Sequence, residues 1–306
     1  MGFKVWLFYS PTGSHTIWPS ARSAKREKGV ATHVWKVFPA YRKVLNICLP
    51  EHWLLEYWKK ATDAPERLAE TAKAEHIFII TGANYTHDQT SIRIRSTIID
   101  PDGRVIGWQD KVHLFRDESK IALPGESYKL FATPFAKFGI TICYDNVFPE
   151  AARTIALQGA ALLFVPSRVI TEGLNPWLLY LKTRALENRI PVIAPNVSDP
   201  PWYNGGTVIV DLEESENSPV VLPKIIASSG TGEEVIVANL NLEVTRKLRV
   251  NRLSERRPES YQVSSQRFVN WKVNAVHDLN YKRWWFHRDC RAGYVTAFLE
   301  WWRWSH

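Results

Sequence analysis

Cysteine is scarce in this chain: its 306 residues include only Cys48, Cys143 and Cys290. An odd, low count fits a reducing compartment and leaves a thiol free for chemistry, and the three are too scattered to build a zinc site. The nine histidines show no pairing at metal-ligand spacing, so no metal is expected. Glycine pairs are rare, and Gly205-Gly206 precedes the apolar run Thr207-Val208-Ile209-Val210. That run lacks the strand-glycine-helix order of a phosphate loop, and no cofactor is implied. No apolar stretch approaches the ~20 residues that span a bilayer. The first residues, with Pro11, Pro19 and charges from Lys25 onward, have no signal-peptide core, so a cytoplasmic location is expected. Internal repeats and an evident domain linker are missing as well.

What is present fits one large domain with a real core, since 45% of the residues are apolar. Apolar runs of strand length occur over 5–9, 44–49, 77–81, 92–100, 138–143, 162–165, 192–194, 207–211 and 234–239. Helical spacing appears between several of them: Ala152, Ile155, Ala156 and Gly159 share one face, and Leu178, Leu181, Ala185 and Leu186 share another. Pro101-Asp102-Gly103 is a turn signal joining Ile98-Ile99 to Val105-Ile106-Gly107 in a hairpin. The polar, Ser- and Gly-rich stretch between Leu212 and Glu234 predicts loops around one short strand over 220–226. Alternation of this kind implies a layered α/β architecture.

Cys143 ends the run Phe138-Gly139-Ile140-Thr141-Ile142 and precedes Tyr144-Asp145-Asn146-Val147-Phe148-Pro149-Glu150. A strand that stops at a thiol and turns into a helix presents a nucleophile, although a lone cysteine there is more often core than catalyst. Two upstream segments supply what a neutral thiol needs. Asn46-Ile47-Cys48-Leu49-Pro50 leads to the carboxylate of Glu51, and Trp108-Gln109-Asp110 leads to the ammonium of Lys111. A carboxylate can take the thiol proton and hand it to a leaving amine, while an ammonium can stabilise an oxyanion.

The segments Leu49-Pro50-Glu51, Asp110-Lys111-Val112-His113-Leu114-Phe115 and Ile142-Cys143-Tyr144-Asp145, in this order, resemble the Glu-Lys-Cys motifs of the carbon-nitrogen hydrolase, or nitrilase, superfamily. The stretches 159–167, Arg184-Ala185-Leu186-Glu187-Asn188-Arg189 and Arg256-Arg257-Pro258-Glu259-Ser260-Tyr261 agree with it. The motifs are clearest over 45–265, and the resemblance implies a four-layer α-β-β-α sandwich for a catalytic domain over 1–267. It also implies homodimers or larger homo-oligomers. Cys143 would attack an amide, carbamoyl or nitrile carbon, and Glu51 would act as general base and acid. Lys111 and the N–H after Cys143 would hold the oxyanion, and Glu118 matches a second glutamate that positions substrate and lysine. Tyr144, Arg168 and Trp177 are candidates for the pocket wall from their nearness in sequence. The lack of a membrane span speaks against the membrane-embedded acyltransferase branch.

Plainer roles exist for each. Glu51 could be a first-turn carboxylate of a helix beginning at His52-Trp53-Leu54-Leu55-Glu56-Tyr57-Trp58. Lys111 and Glu118 could be solvated loop charges. Arg184 and Glu187 have the spacing of a helix-face pair, and Glu150 suits the N-terminus of a helix starting near Pro149.

The basic excess lies at the ends. Lys and Arg exceed Asp and Glu by seven over 1–60, fall two short over 61–267 and exceed them by three over 268–306. The 268–306 extension carries Trp271, Trp284, Trp285, Trp301, Trp302 and Trp304. Such a tail suits an oligomer interface, and nucleic acid or a membrane surface is the alternative partner. The head departs from the family, with Ser10-Pro11-Thr12-Gly13 after the first strand where a glutamine is common. Only Arg22-Ser23-Ala24-Lys25-Arg26-Glu27-Lys28 resembles the expected helix. Glu51 and Lys111 lie closer in sequence than the family leads one to expect, which implies short loops at the pocket.

The expected function is therefore hydrolysis of a non-peptide carbon-nitrogen bond in a small amide or carbamoyl compound through a thioester. The alternatives are a nitrilase with the same three residues, or a non-enzymatic binding or assembly protein on the same fold.

Overall fold

The computed structural model describes residues 3–7, 46–53, 64–88, 91–134, 136–231 and 235–261. The expectations for the chain's head beyond residue 7 and for its Trp-rich tail lie outside them. The chain divides into two compact units, Met1–Arg256 and Arg257–His306; of the second, Pro258–Ser260 forms a single 3-10 turn.

The first unit contains two stacked sheets. One comprises β1 (Phe3–Leu7), β2 (Asn46–Cys48), β3 (Phe78–Ile80), β4 (Asn84–Asp88), β5 (Ser91–Ile99), β6 (Val105–Asp110) and, after all the others in sequence, Ile236–Leu240 as β15. Its order is β15-β1-β2-β3-β5-β4, with β6 also on β5. The other contains β7 (Leu130–Ala132), β8 (Lys137–Ile140), β9 (Leu162–Phe164), β10 (Val192–Ala194), β13 (Val208–Glu214) and β14 (Val221–Ser228), ordered β14-β13-β10-β9-β8-β7. A two-strand ribbon, β11 (Ser198–Asp199) with β12 (Tyr203–Asn204), stands apart. The hairpin anticipated around Pro101 is present, with Ile98 opposite Gly107 and Ile99 opposite Val105.

Alternation along the strands explains the layering, because successive side chains point to opposite faces. Cys48, Ile80, Phe138, Ile140, Leu162, Phe164, Ile193 and Ile209 fill the space between the sheets. Their neighbours Leu163, Val165, Val192, Ala194, Val208 and Val210 face the other way, onto α2 (Pro149–Leu157) and α3 (Leu174–Asn188). On the far side Ile47, Leu49 and Ile79 pack with Ala72 and Leu68 of α1 (Ala64–Glu75). In β5 the adjacent Ile98 and Ile99 both find cores because they point to opposite faces, Ile98 between the sheets and Ile99 toward α1. The result is a helix-sheet-sheet-helix sandwich.

α1 and α4 (Leu242–Ser254) do not stand out in the sequence. Among its described side chains α1 buries Thr71 and Ala72 alone, which makes no apolar stripe, and α4 buries Thr245, Leu248 and Arg249. α4 starts at a cap, the Asn241 side chain accepting from the N–H groups of Glu243 and Val244.

Parallel pairing of β1-β2-β3 in one sheet and β8-β9-β10 in the other brings the chain ends of β2, β8, β9 and β10 to one edge. In open α/β sheets that edge is where ligands bind.

Candidate active site

Glu51 follows β2, pairing as an isolated bridge with Ala83. Its N–H donates to the Ser167 carbonyl at 3.3 Å, which links the exit of β2 to the exit of β9 in the facing sheet. Gly82 makes this possible: at φ 70° it lies so close to Pro50 that a Cβ would overlap the Pro50 carbonyl oxygen. His52 and Trp53 form a turn, with His52 at φ 52°. The helix expected to begin at His52 therefore does not begin there, and positions 54–58 lie outside the described residues.

Lys111 leaves the end of β6, its N–H donating to Ile94 O at 2.8 Å and its carbonyl accepting from Gly125 N–H at 2.7 Å. The side chain is among the largest fully buried ones in the described structure, and residue exposure is 1%. Nζ donates to Glu51 Oε1 at 2.7 Å and to Glu118 Oε1 at 2.9 Å. Burial by itself pulls the ammonium's pKa down, but the charges of Glu51 and Glu118 and the hydrogen bond to Glu51 overcome it and raise the group above its ordinary value. Glu118 sits in a 3-10 turn (Arg116–Lys120), where the other carboxylate oxygen accepts from Phe115 N–H at 2.7 Å. Burial pushes Glu118 up, yet His52, Lys111 and the Phe115 N–H hold it below the usual carboxylate range. Neither Lys111 nor Glu118 is a solvated loop charge.

Cys143, three residues past the end of β8, opens a 3-10 turn (Cys143–Val147) and adopts φ 45°, the left-handed region uncommon for a residue with a Cβ. Its N–H donates to Pro166 O at 2.9 Å. Burial pushes the thiol well above the ordinary cysteine value, and the charge of Glu51 and a hydrogen bond to it push the same way. Lys111 and the backbone N–H of Arg168 work in the opposite direction. The resting group is thus a neutral thiol with a carboxylate and an ammonium beside it. The Tyr144 N–H belongs to the first turn of this segment, whose amides have no acceptor inside the helix.

The structure thus brings Glu51, Lys111, Glu118 and Cys143 into one cluster drawn from both sheets. Arg168 joins it through its N–H; its guanidinium lies over the Tyr203 ring at 4.3 Å, and its Nε is buried without a hydrogen-bond partner. Tyr144 packs instead among aromatics, 5.0 Å from Phe115 and 5.3 Å from Phe148 between ring centroids. Trp177 is a correction: only 6% exposed, it belongs to the core beneath α3 with Leu181 and Ala185, so nearness to Ser167 in sequence misplaces it.

Several residues that sequence reasoning left without a role hold the cluster in place. Asp145, fully buried, accepts from four donors around the turn and lies 3.1 Å from His113 Nδ1. Arg184 does form the helix pair with Glu187 at 3.0 Å, but Nε and Nη2 also donate to the carbonyls of Asn146 and Val147 at 3.0 and 2.8 Å, gripping the far side of the same turn. The Asn196 side chain bonds both Val169 and Gly205, steadying the loop after Arg168. Glu150 lies in the first turn of α2, after Pro149 at its start.

Glu51, His52 and Glu118 place donor atoms within 4.8 Å of one another, a set that could hold a metal ion. The Lys111 ammonium already occupies both carboxylates, so the donors present fit an organic cation in that position.

Comparison with known proteins agrees with this geometry. The family model described as carbon-nitrogen hydrolase matches residues 19–250. An omega-amidase, NIT2 of Xenopus tropicalis, is 30% identical over 227 residues, covering 69% of this chain and 80% of that protein. The omega-amidase NIT3 of Saccharomyces cerevisiae is 31% identical over 207 residues, covering 62% and 68%. The crystal structure of Saccharomyces cerevisiae Nit3, a member of branch 10 of the nitrilase superfamily, superposes with TM-score 0.70 at 27% identity, covering 84% of this chain and 96% of that one. The carbon-nitrogen hydrolase of Helicobacter pylori G27 shares the fold, with TM-score 0.71 at 19% identity over 88% of this chain and all of that one.

Proposed function

The chain belongs to the carbon-nitrogen hydrolase family, enzymes of non-peptide carbon-nitrogen bonds, and from that premise we propose that it is an amidase using Cys143, Glu51 and Lys111. The 2.7 Å contact of Lys111 Nζ with Glu51, beside a thiol raised by burial and by the Glu51 charge, carries the proposal.

A neutral thiol attacks slowly, so the step needs a base within reach. Cys143 Sγ bonds to the amide carbon while its proton passes to the Glu51 carboxylate. The carbonyl electron pair moves onto oxygen, where the Lys111 ammonium and the Tyr144 N–H meet it. Collapse expels the amine, which takes the proton back from Glu51 and leaves a thioester on Cys143. Water, deprotonated by Glu51, then opens the thioester to the carboxylic acid and restores the thiol. Because Lys111 stays protonated between two carboxylates, it stabilises the oxyanion as a charge and leaves proton transfer to Glu51.

Amides rather than nitriles are favoured by the relatives, which are named omega-amidases. Arg168, with no ion-pair partner among the described residues and a buried, unbonded Nε, supplies a cation near Cys143 for a carboxylate at the other end of the substrate. Tyr144 supports the wall through its aromatic contacts.

Ammonia release from a panel of small amides, carbamoyl amino acids and nitriles tests this, each carboxylate-bearing amide beside a neutral one of equal length. Release by the wild type and none by Cys143→Ala is expected, with the carboxylate-bearing amides preferred. Undiminished release by Cys143→Ala would sink the mechanism, and equal rates for the paired amides would remove the role given to Arg168.

A further inference from the structure

Asp145 has no part in the chemistry just described, yet it is the most heavily engaged carboxylate around the cluster. Oδ1 accepts from His113 N–H at 2.7 Å, from Tyr128 Oη at 3.1 Å and lies 3.1 Å from His113 Nδ1. Oδ2 accepts from Ile142 N–H at 3.0 Å and from Val112 N–H at 3.5 Å. Ile142 is the residue before the thiol, and Val112 and His113 are the two residues after the ammonium. One fully buried anion therefore ties the nucleophile turn of one sheet to the chain leaving β6 in the other. His113 is further fixed by stacking on Phe148 at 3.8 Å between ring centroids, at the C-terminal end of the same turn.

We infer that Asp145 is a positioning residue that sets the distance between Lys111 Nζ and the oxyanion formed at Cys143. The inference rests on Lys111 acting as the oxyanion cation. A carboxylate accepts on both oxygens, which two sets of backbone N–H groups require. Replacement by Asn puts an NH2 group against one set, so the two loops lose their common anchor and the ammonium its register with the thiol. A displacement near 1 Å in such a site costs about 100-fold.

The test compares an amide with its thioamide. Sulfur in place of the carbonyl oxygen is a poorer acceptor for an ammonium, so the ratio of amide to thioamide turnover reports how well Lys111 meets the developing charge. A merely structural role would not move it. In Asp145→Asn, kcat for the amide is expected to fall about 100-fold with KM within about 3-fold of wild type. The amide-to-thioamide ratio should drop to the level of Lys111→Ala. A wild-type ratio in folded Asp145→Asn overturns the inference if Lys111→Ala lowers the ratio. If Lys111→Ala leaves it unchanged, the oxyanion role of Lys111 fails, and the inference with it. Should Asp145→Asn not fold, Tyr128→Phe combined with His113→Leu removes side-chain donors from the carboxylate and leaves the backbone intact. A several-fold fall in the ratio is then expected, and no change overturns the inference.

Discussion

Two cysteines lie where parallel strands end, one in each sheet, and only one is placed for chemistry. Cys48 is the last residue of β2, fully buried between the sheets among Ile80, Phe138 and Ile140. Among the described residues its thiol bonds the Leu49 carbonyl alone, at 3.6 Å, and burial raises its pKa. Cys143 lies three residues past the end of β8, in a left-handed turn that swings it out of the sheet toward Glu51 and Lys111. Both thiols are pushed up by loss of water, but one has a base and a cation beside it and the other has aliphatic carbon. A few residues of chain beyond the strand, bent at φ 45°, separate a packing atom from a nucleophile. The same step occurs in the first sheet, where Cys48 is core and Glu51, three positions on, is the carboxylate of the site.

The contrast can be broken or sharpened by experiment. The largest expected effect is on turnover: Cys143→Ala should abolish it, whereas Cys48→Ala should leave kcat within a few-fold of wild type in the ammonia-release assay. A loss of activity in folded Cys48→Ala equal to that of Cys143→Ala would erase the distinction. Next comes the cation. Lys111→Ala should cost at least ~100-fold in kcat, and it also leaves Glu51 and Glu118 buried without their counter-charge, a loss of ~3–5 kcal/mol seen in denaturant unfolding. Methionine at 111 would share that loss of charge but keep much of the packing, which separates the two contributions.

Alkylation by iodoacetamide tests the electrostatics. Because the Cys143 pKa is raised, the thiolate is a minor form at neutral pH, and the rate should keep climbing with pH past the ~8.5 of an ordinary thiol. Glu51→Gln removes a negative charge that opposes thiolate formation, so the rise should shift to lower pH. A wild-type plateau below pH 8 would contradict the raised value. Cys48 should stay unmodified until the protein unfolds. The smallest effect is on stability: Cys48→Ala removes one buried sulfur and should cost about 1 kcal/mol, measured by urea unfolding.

Most of the framework was legible because strand and helix periods are local properties. The strands over 138–143, 162–165 and 192–194 are found as β8, β9 and β10, within a few residues at their ends. The hairpin at Pro101 and the short strand after residue 219 are also present. β4, β7, α1 and α4 were not anticipated, since short strands such as Leu130–Ala132 carry too few residues for a period. Among the described side chains, α1 fully buries Thr71 and Ala72 and α4 buries Thr245, Leu248 and Arg249, too few apolar positions to make a stripe. Trp177 shows the opposite failure, a residue close to the site in sequence whose helix turns it into the core.

By itself the sequence determined the layered α/β framework and the order of the chemical groups: a carboxylate after one strand, an ammonium after another, a thiol after a third. Each follows from a strand ending at a turn, and a strand end is readable from neighbours alone. Only the tertiary structure decided what those groups do to one another. Lateral pairing β2-β3-β5-β6 within one sheet brings Lys111 to 2.7 Å from Glu51 across 60 positions of sequence, and stacking of the second sheet on the first places Asp145 between the two loops that carry thiol and ammonium. The reason is that charge interactions depend on distance and on exclusion of water, and both are set where segments remote in sequence pack together.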